Sequence, residues 1–269
     1  MPLVKLPDVD IYYEITGDGL PLMLIHGLGS SSRDWEKQIE PFARSYQVIT
    51  FDLRGHGRSS KPSGPYSVRM FAEDTAELIR ALGIAPLHVI GISMGGMVAF
   101  ELAVNYPEFL QSLTIVNSYP EMRVETLREH IMLWRRYLLL ELLGMRGTGV
   151  MLGRHLFPYP EQSELRKLFV QHWAENDKRA YRNSLHALAN WDVEAHIGEI
   201  NCPTLIVASD QDYLPLEEKR AYAEKIPNAK LVVIENARHA VTAERPEQFN
   251  MEVRKFLDLC HDKKSYQNQ

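Results

Sequence analysis

The chain has 269 residues, 45% of them hydrophobic and 24% charged, with a formal net charge of −5. This balance is enough to bury a substantial core, and it provides no basic face for nucleic acid. There is no basic segment leading into an apolar stretch at the start, no apolar run near membrane-spanning length, and no metal-like spacing between Cys202 and Cys260. The expectation is therefore a cytoplasmic protein with two free thiols and no membrane partner.

Val4–Leu6 and Ile11–Thr16 read as an opening hairpin around Asp8. Apolar runs follow at Leu22–Ile25, Val48–Phe51, Leu87–Ile90, Leu113–Val116, Leu205–Ala208 and Leu231–Ile234. They are continuous rather than alternating, which predicts strands covered on both faces. The fold class is thus α/β, with a mostly parallel central sheet of about eight strands and helices on each side. The covering helices are expected at Trp35–Ala43, Val68–Leu82, Met97–Tyr106, Leu216–Ile226 and Glu247–Leu259. Ser67 is placed to cap the second of these and Gly83 to end it.

Between Val116 and Pro203 no convincing strand occurs, only helical sequence. An insert of about eighty residues is too long for a simple connection. Residues 1–120 and 201–269 are therefore assigned to the core. Residues 121–200 are assigned to a cap of about four helices over the carboxyl ends of the strands, where open α/β sheets bind ligands. The first cap helix is very apolar from Ile131 to Leu143, broken only by Arg135, Arg136 and Glu141. Packing on neighbours explains most of it, yet the arc is wider than one core contact requires. The surplus has two uses open to it: lining an acyl pocket, or a homodimer contact through the cap. The polar tail from Asp262 to Gln269 is expected to fray.

The residues that carry chemistry lie at strand ends. Gly91-Ile92-Ser93-Met94-Gly95 follows the run ending at Ile90 and precedes helical sequence. A strand that turns into a helix this sharply passes through a sparsely allowed conformation, and small residues on both sides let the two elements approach. Such an apex presents the Ser93 hydroxyl outward. A serine needs a base to take its proton and a third group to orient that base. His239 lies in a short loop after Leu231–Ile234, and the strand Leu205–Ala208 leads into Ser209-Asp210-Gln211-Asp212. Position alone leaves Asp210 and Asp212 both open as the acid.

Together these features resemble the α/β-hydrolase superfamily, especially its small esterase, enol-lactonase and carbon–carbon hydrolase branch. The resemblance spans almost the whole chain. His26-Gly27-Leu28-Gly29 matches the family's oxyanion loop, and Asp52-Leu53-Arg54-Gly55-His56-Gly57-Arg58-Ser59 matches its loop after the fourth strand. It implies Ser93 as nucleophile and His239 as base. Asp212 matches the family's acid, although Ser209 stands where that motif has glycine. The backbone amides of Leu28 and Met94 are implied as oxyanion donors, with both side chains as pocket walls. His26 is expected to hold its loop in shape, and Asp52 with Arg54 to form an ion pair.

The resemblance implies a serine hydrolase of small, mainly apolar esters or lactones, with no cofactor and no metal. Two alternatives use the same triad: carbon–carbon cleavage of ring-fission products, and a binding protein of low turnover. Dehalogenases and epoxide hydrolases of this fold carry an aspartate at the apex, where this chain has Ser93. A dinucleotide enzyme would explain Gly27-x-Gly29-x-x-Ser32 but lacks the third glycine and leaves Ser93, Asp212 and His239 without a role.

Overall fold

The computed structural model describes residues 2–267. In chain order the elements are β1 (Leu3–Lys5), β2 (Asp10–Thr16), β3 (Leu20–Ile25), α1 (Glu36–Ala43), β4 (Tyr46–Phe51), α2 (Val68–Leu82), β5 (Leu87–Ile92), α3 (Met94–Asn105), β6 (Leu110–Val116) and β7 (Glu121–Met122). They continue as α4 (Leu127–Leu156), α5 (Ser163–Ala174), α6 (Lys178–Leu188), β8 (Trp191–Asp192), β9 (Thr204–Ser209), α7 (Leu216–Ala223), β10 (Ala229–Ile234), α8 (Val241–Glu244) and α9 (Pro246–Gln267).

Eight strands form one sheet in the order β1-β2-β4-β3-β5-β6-β9-β10. The pairs β1–β2 and β2–β4 are antiparallel and the others parallel. Successive side chains on a strand point to opposite faces. Accordingly, Met23 and Ile25 join Phe71, Val98 and Phe100 beneath α2 and α3. Leu22 and Leu24 join Phe42, Phe249 and Val253 beneath α1 and α9. Each such side chain fully removed from water contributes about 1.5–3 kcal/mol, so these two layers hold the sheet between its helices. Helix α2 has the expected ends: Ser67 accepts a hydrogen bond from the Met70 amide, and Gly83 adopts φ 64°.

The insert enters and leaves through a feature absent from the sequence expectation. Glu121–Met122 pairs antiparallel with Trp191–Asp192, closing a two-stranded ribbon at the neck of the insert. Thr126 and Glu129 then form a capping box at the start of α4, and Gly144 (φ 62°, ψ −171°) bends that helix into two arms. With α5 and α6 this makes four helical arms, joined by Leu140, Met145, Trp173, Tyr181 and Leu185. Much of the apolar arc faces outward: Trp134 is 64% exposed and Leu142 70%. Helix α9 runs on through Gln267, where a frayed tail was expected. The last two residues of that tail lie outside the described residues. Among the described residues no helix is long and apolar enough to cross a membrane.

Candidate active site

Strand β5 turns directly into α3 at Ser93, whose backbone sits at φ 54° and ψ −119°. Such a conformation costs of order 1–3 kcal/mol in a non-glycine residue and persists only where its surroundings impose it. Here the Ser93 amide donates to the Val116 carbonyl at 2.9 Å, and its own carbonyl accepts from the Ser118 hydroxyl at 2.7 Å. A side chain at Gly91 would collide with the Gly95 carbonyl, and one at Gly95 with the Ile25 carbonyl. The glycines are therefore what allow the strand, the helix and the neighbouring β3 to meet at this point. Gly27 lies beside the apex, where an added Cβ would be 3.6 Å from that of Ser93.

Because β3, β5, β6, β9 and β10 run parallel, the loops after them open at one rim. The Asp212 Oδ1 accepts from His239 Nδ1–H at 2.8 Å. Asp210 is not in this contact; its Oδ1 accepts from the Ala237 amide at 3.1 Å and braces the histidine loop. The second oxygen of Asp212 is held by Lys219 Nζ at 2.5 Å, and both side chains are fully buried. Burial alone would raise the Asp212 carboxyl, but His239 and then Lys219 more than offset it, leaving its pKa below the usual range. Burial pulls the Lys219 ammonium downward, against the opposing attraction of Asp212.

Asn117, at φ 42° just past β6, ties the loops together. Its Oδ1 accepts from the Ser209 amide at 2.9 Å and from Lys219 Nζ at 3.0 Å. Its Nδ2 donates to Ser209 Oγ at 2.8 Å and to the His239 carbonyl at 3.0 Å. Ser209, which replaces the glycine of the family motif, thus anchors the acid loop through its own hydroxyl.

A third side chain stands against the base: the Tyr213 hydroxyl lies 3.0 Å from His239 Nε2. Burial of the hydroxyl end, then the Asp212 charge, pushes this phenol's pKa up, so it remains a donor. The residue as a whole is 54% exposed. A cavity of about 230 Å³ beside it is lined by His155, Leu156, Gln211, Arg238 and His239 among others.

The supporting loops differ in part from expectation. His26 clamps its own loop: Nδ1–H donates to the Gly27 carbonyl at 2.8 Å and Nε2 accepts from the Leu53 amide at 3.0 Å. Asp52 does not pair with Arg54. Its oxygens accept from the Ser32 and Arg58 amides, both at 2.7 Å. Arg54 turns instead to Asp74 on α2, a carboxylate with no backbone amides to satisfy it, in a two-point ion pair at 2.5 Å. The Met94 side chain is not a pocket wall but part of the main core, while Leu28 packs between that core and the cap cluster.

Lys219, Asn117 and Tyr213 were not singled out from sequence. A signal existed for Lys219: with Tyr222, Ala223 and Ile226 it follows the i, i+3, i+4, i+7 pattern of a buried helical face. A lysine in that register needs a buried partner. Asn117 and Tyr213 carry no comparable local signal.

Residues 21–246 match the family model described as the alpha/beta hydrolase fold. The "Putative carbamate hydrolase RutD" of Azorhizobium caulinodans is 32% identical over 258 residues, covering 93% of this chain and 96% of the relative. Among solved structures, a thermophilic esterase from Thermogutta terrifontis superposes with a TM-score of 0.86 at 26% identity, covering 97% of this chain and all of the other. An N-acyl homoserine lactone degrading enzyme superposes with a TM-score of 0.81 at 27% identity, covering 95% and 100%. This chain is a hydrolase belonging to the α/β-hydrolase fold family.

Proposed function

We propose that the protein hydrolyses small carboxylic esters or lactones through an acyl-enzyme on Ser93. The observation that carries this is the His239–Asp212 bond at 2.8 Å, set at the rim onto which the strained Ser93 turn opens. With Nδ1–H committed to Asp212, Nε2 of the neutral imidazole is free to accept a proton. Substrate entry displaces the Tyr213 phenol. Ser93 Oγ then attacks the carbonyl carbon while its proton passes to Nε2, giving a tetrahedral oxyanion. The Leu28 and Met94 amides receive this charge; each such donor is worth about 2.7–4 kcal/mol of barrier. As the carbon–oxygen bond breaks, the imidazolium returns the proton to the departing alkoxide. Water repeats the sequence, freeing the acid and Ser93. The similarity to an esterase and a lactone-degrading enzyme supports these bonds as targets.

A second reading is carbamate hydrolysis, favoured by the name of the relative at 32% identity. It needs the same attack on a carbonyl, but that carbonyl carries nitrogen, so the intermediate on Ser93 is a carbamoyl-enzyme in place of an acyl-enzyme. Fluorophosphonate labelling followed by a panel of esters, lactones and carbamates separates the two. Labelling should map to Ser93 and vanish in Ser93→Ala. Asp212→Asn should lower kcat/KM far more than Asp210→Asn. An unlabelled protein, or equal turnover by Ser93→Ala, would exclude the serine mechanism.

A further inference from the structure

The cavity beside the base is walled by the end of α4 on one side and by the acid and histidine loops on the other, with Arg238 next to His239 in its lining. Arg238 has donors that it does not use. Its guanidinium makes no hydrogen bond among the described residues, and Nε is also shut off from water without a partner. The group feels the charge of Glu244 but does not bond it. The two Glu244 oxygens accept instead from Gln162 Nε2 at 2.9 Å and from the Arg238 backbone amide at 2.6 Å. The Tyr159 ring, whose centroid lies 5.6 Å from Arg238 Cζ, steadies the guanidinium without satisfying any N–H. Other cations near the cap meet carboxylates: Arg33 pairs with Glu175, and Lys178 with Glu141. Folded proteins seldom leave a buried donor without an acceptor. At the wall of a cavity, a ligand can supply one.

The rest of the wall suits an anion. Asp212, the one carboxylate among the described lining residues, has its oxygens occupied by His239 and Lys219, and its side chain is fully buried. Gln211 Oε1 accepts from the Tyr159 hydroxyl at 3.4 Å, while its Nε2 meets no acceptor among the described residues. A planar guanidinium matches a carboxylate in two-point geometry, which adds direction as well as energy. Because Arg238 and His239 line the same cavity, a carboxylate held by the first lies next to the second.

We propose that Arg238 binds a free carboxylate of the substrate, so that the ester or lactone taken by this site is an anion whose carboxylate lies a few bonds from the reacting carbonyl. This rests on the reading of Ser93 as the nucleophile.

The test compares monomethyl succinate, glutarate and adipate with the methyl alkanoates of equal carbon number. The ratio is taken within each protein, so effects on His239 common to both series cancel. For the best-fitting length, the wild-type protein should favour the anionic ester by about tenfold or more in kcat/KM, mostly through KM. Arg238→Met should reduce that ratio by about tenfold or more, and Arg238→Lys, which keeps the charge but not the fork, should retain part of it. Calorimetry provides a readout independent of turnover: the best-fitting dicarboxylate should bind Ser93→Ala protein, and binding should disappear when Arg238→Met is added. A wild-type ratio near one, or a preference and a dicarboxylate heat that both survive Arg238→Met, overturns the proposal and leaves the serine mechanism standing. Arg238-dependent dicarboxylate binding without hydrolysis of any ester upholds the anion site and removes the serine mechanism.

Discussion

Replacing Lys219 with methionine keeps the length of the side chain while removing the ammonium that holds Asp212. In the native protein this contact is 2.5 Å long, and both side chains are fully buried. Breaking a buried pair from one side typically costs about 3–5 kcal/mol, because the remaining charge loses its partner. The Asn117 Oδ1 also loses a donor but keeps the Ser209 amide, so the loss falls mainly on Asp212. The effect on chemistry follows from the linked bonds Lys219–Asp212–His239: a carboxylate that loses its ammonium anchor holds the imidazole less firmly in the orientation the reaction needs. kcat/KM should therefore fall by about tenfold or more, equivalent to about 1.4 kcal/mol of barrier. Denaturant melts and steady-state kinetics measure both effects. An unchanged kcat/KM with a stability change below about 1 kcal/mol would show that Lys219 does not support Asp212.

Two further perturbations test neighbouring claims. Tyr213→Phe removes the hydroxyl that stands 3.0 Å from His239 Nε2 but leaves the ring; because the phenol is read as moving aside when substrate enters, activity should stay within about threefold of wild type. A loss beyond about tenfold in steady-state assays would make the phenol part of the proton route. His56 is buried, and that burial followed by the His26 charge brings its pKa down to about 3. The folded state thus refuses a proton that the unfolded chain accepts. The associated stability is full above about pH 6.5 and drains away as pH falls toward 3. Between pH 7 and 5 this amounts to about 2 kcal/mol. Urea melts of His56→Gln should lose about that much less than wild type over the interval, and equal losses would refute the assignment.

Much of the fold was legible because its signals are local. Ser67 and Gly83 mark the ends of α2, and every strand of the large sheet contains an apolar run visible in the chain. Strand beginnings were less visible, since Tyr46, Gln47, Leu110 and Ser112 pair in the sheet without an apolar run to announce them. The ribbon of β7 and β8 has two residues per strand, too few for any periodicity. At the candidate site, Ser93, Asp212 and His239 could be singled out because each follows a strand. The partners of charged groups were not. Arg54 reaches a carboxylate on α2 rather than Asp52, because the latter is already saturated by backbone amides. That choice depends on loop geometry, which sequence separation does not reveal.

The ribbon at the neck of the insert has a consequence for how such proteins vary. Glu121 and Asp192 stand opposite one another, so the ribbon itself holds the two ends of the intervening segment together, independently of how its helices pack. Lengthening or exchanging that segment adds little closure entropy, about 0.6 kcal/mol per doubling of its length, and disturbs no strand of the large sheet. Transplanting residues 123–190 between relatives that share this seam would exchange one helical insert for another on an unaltered sheet.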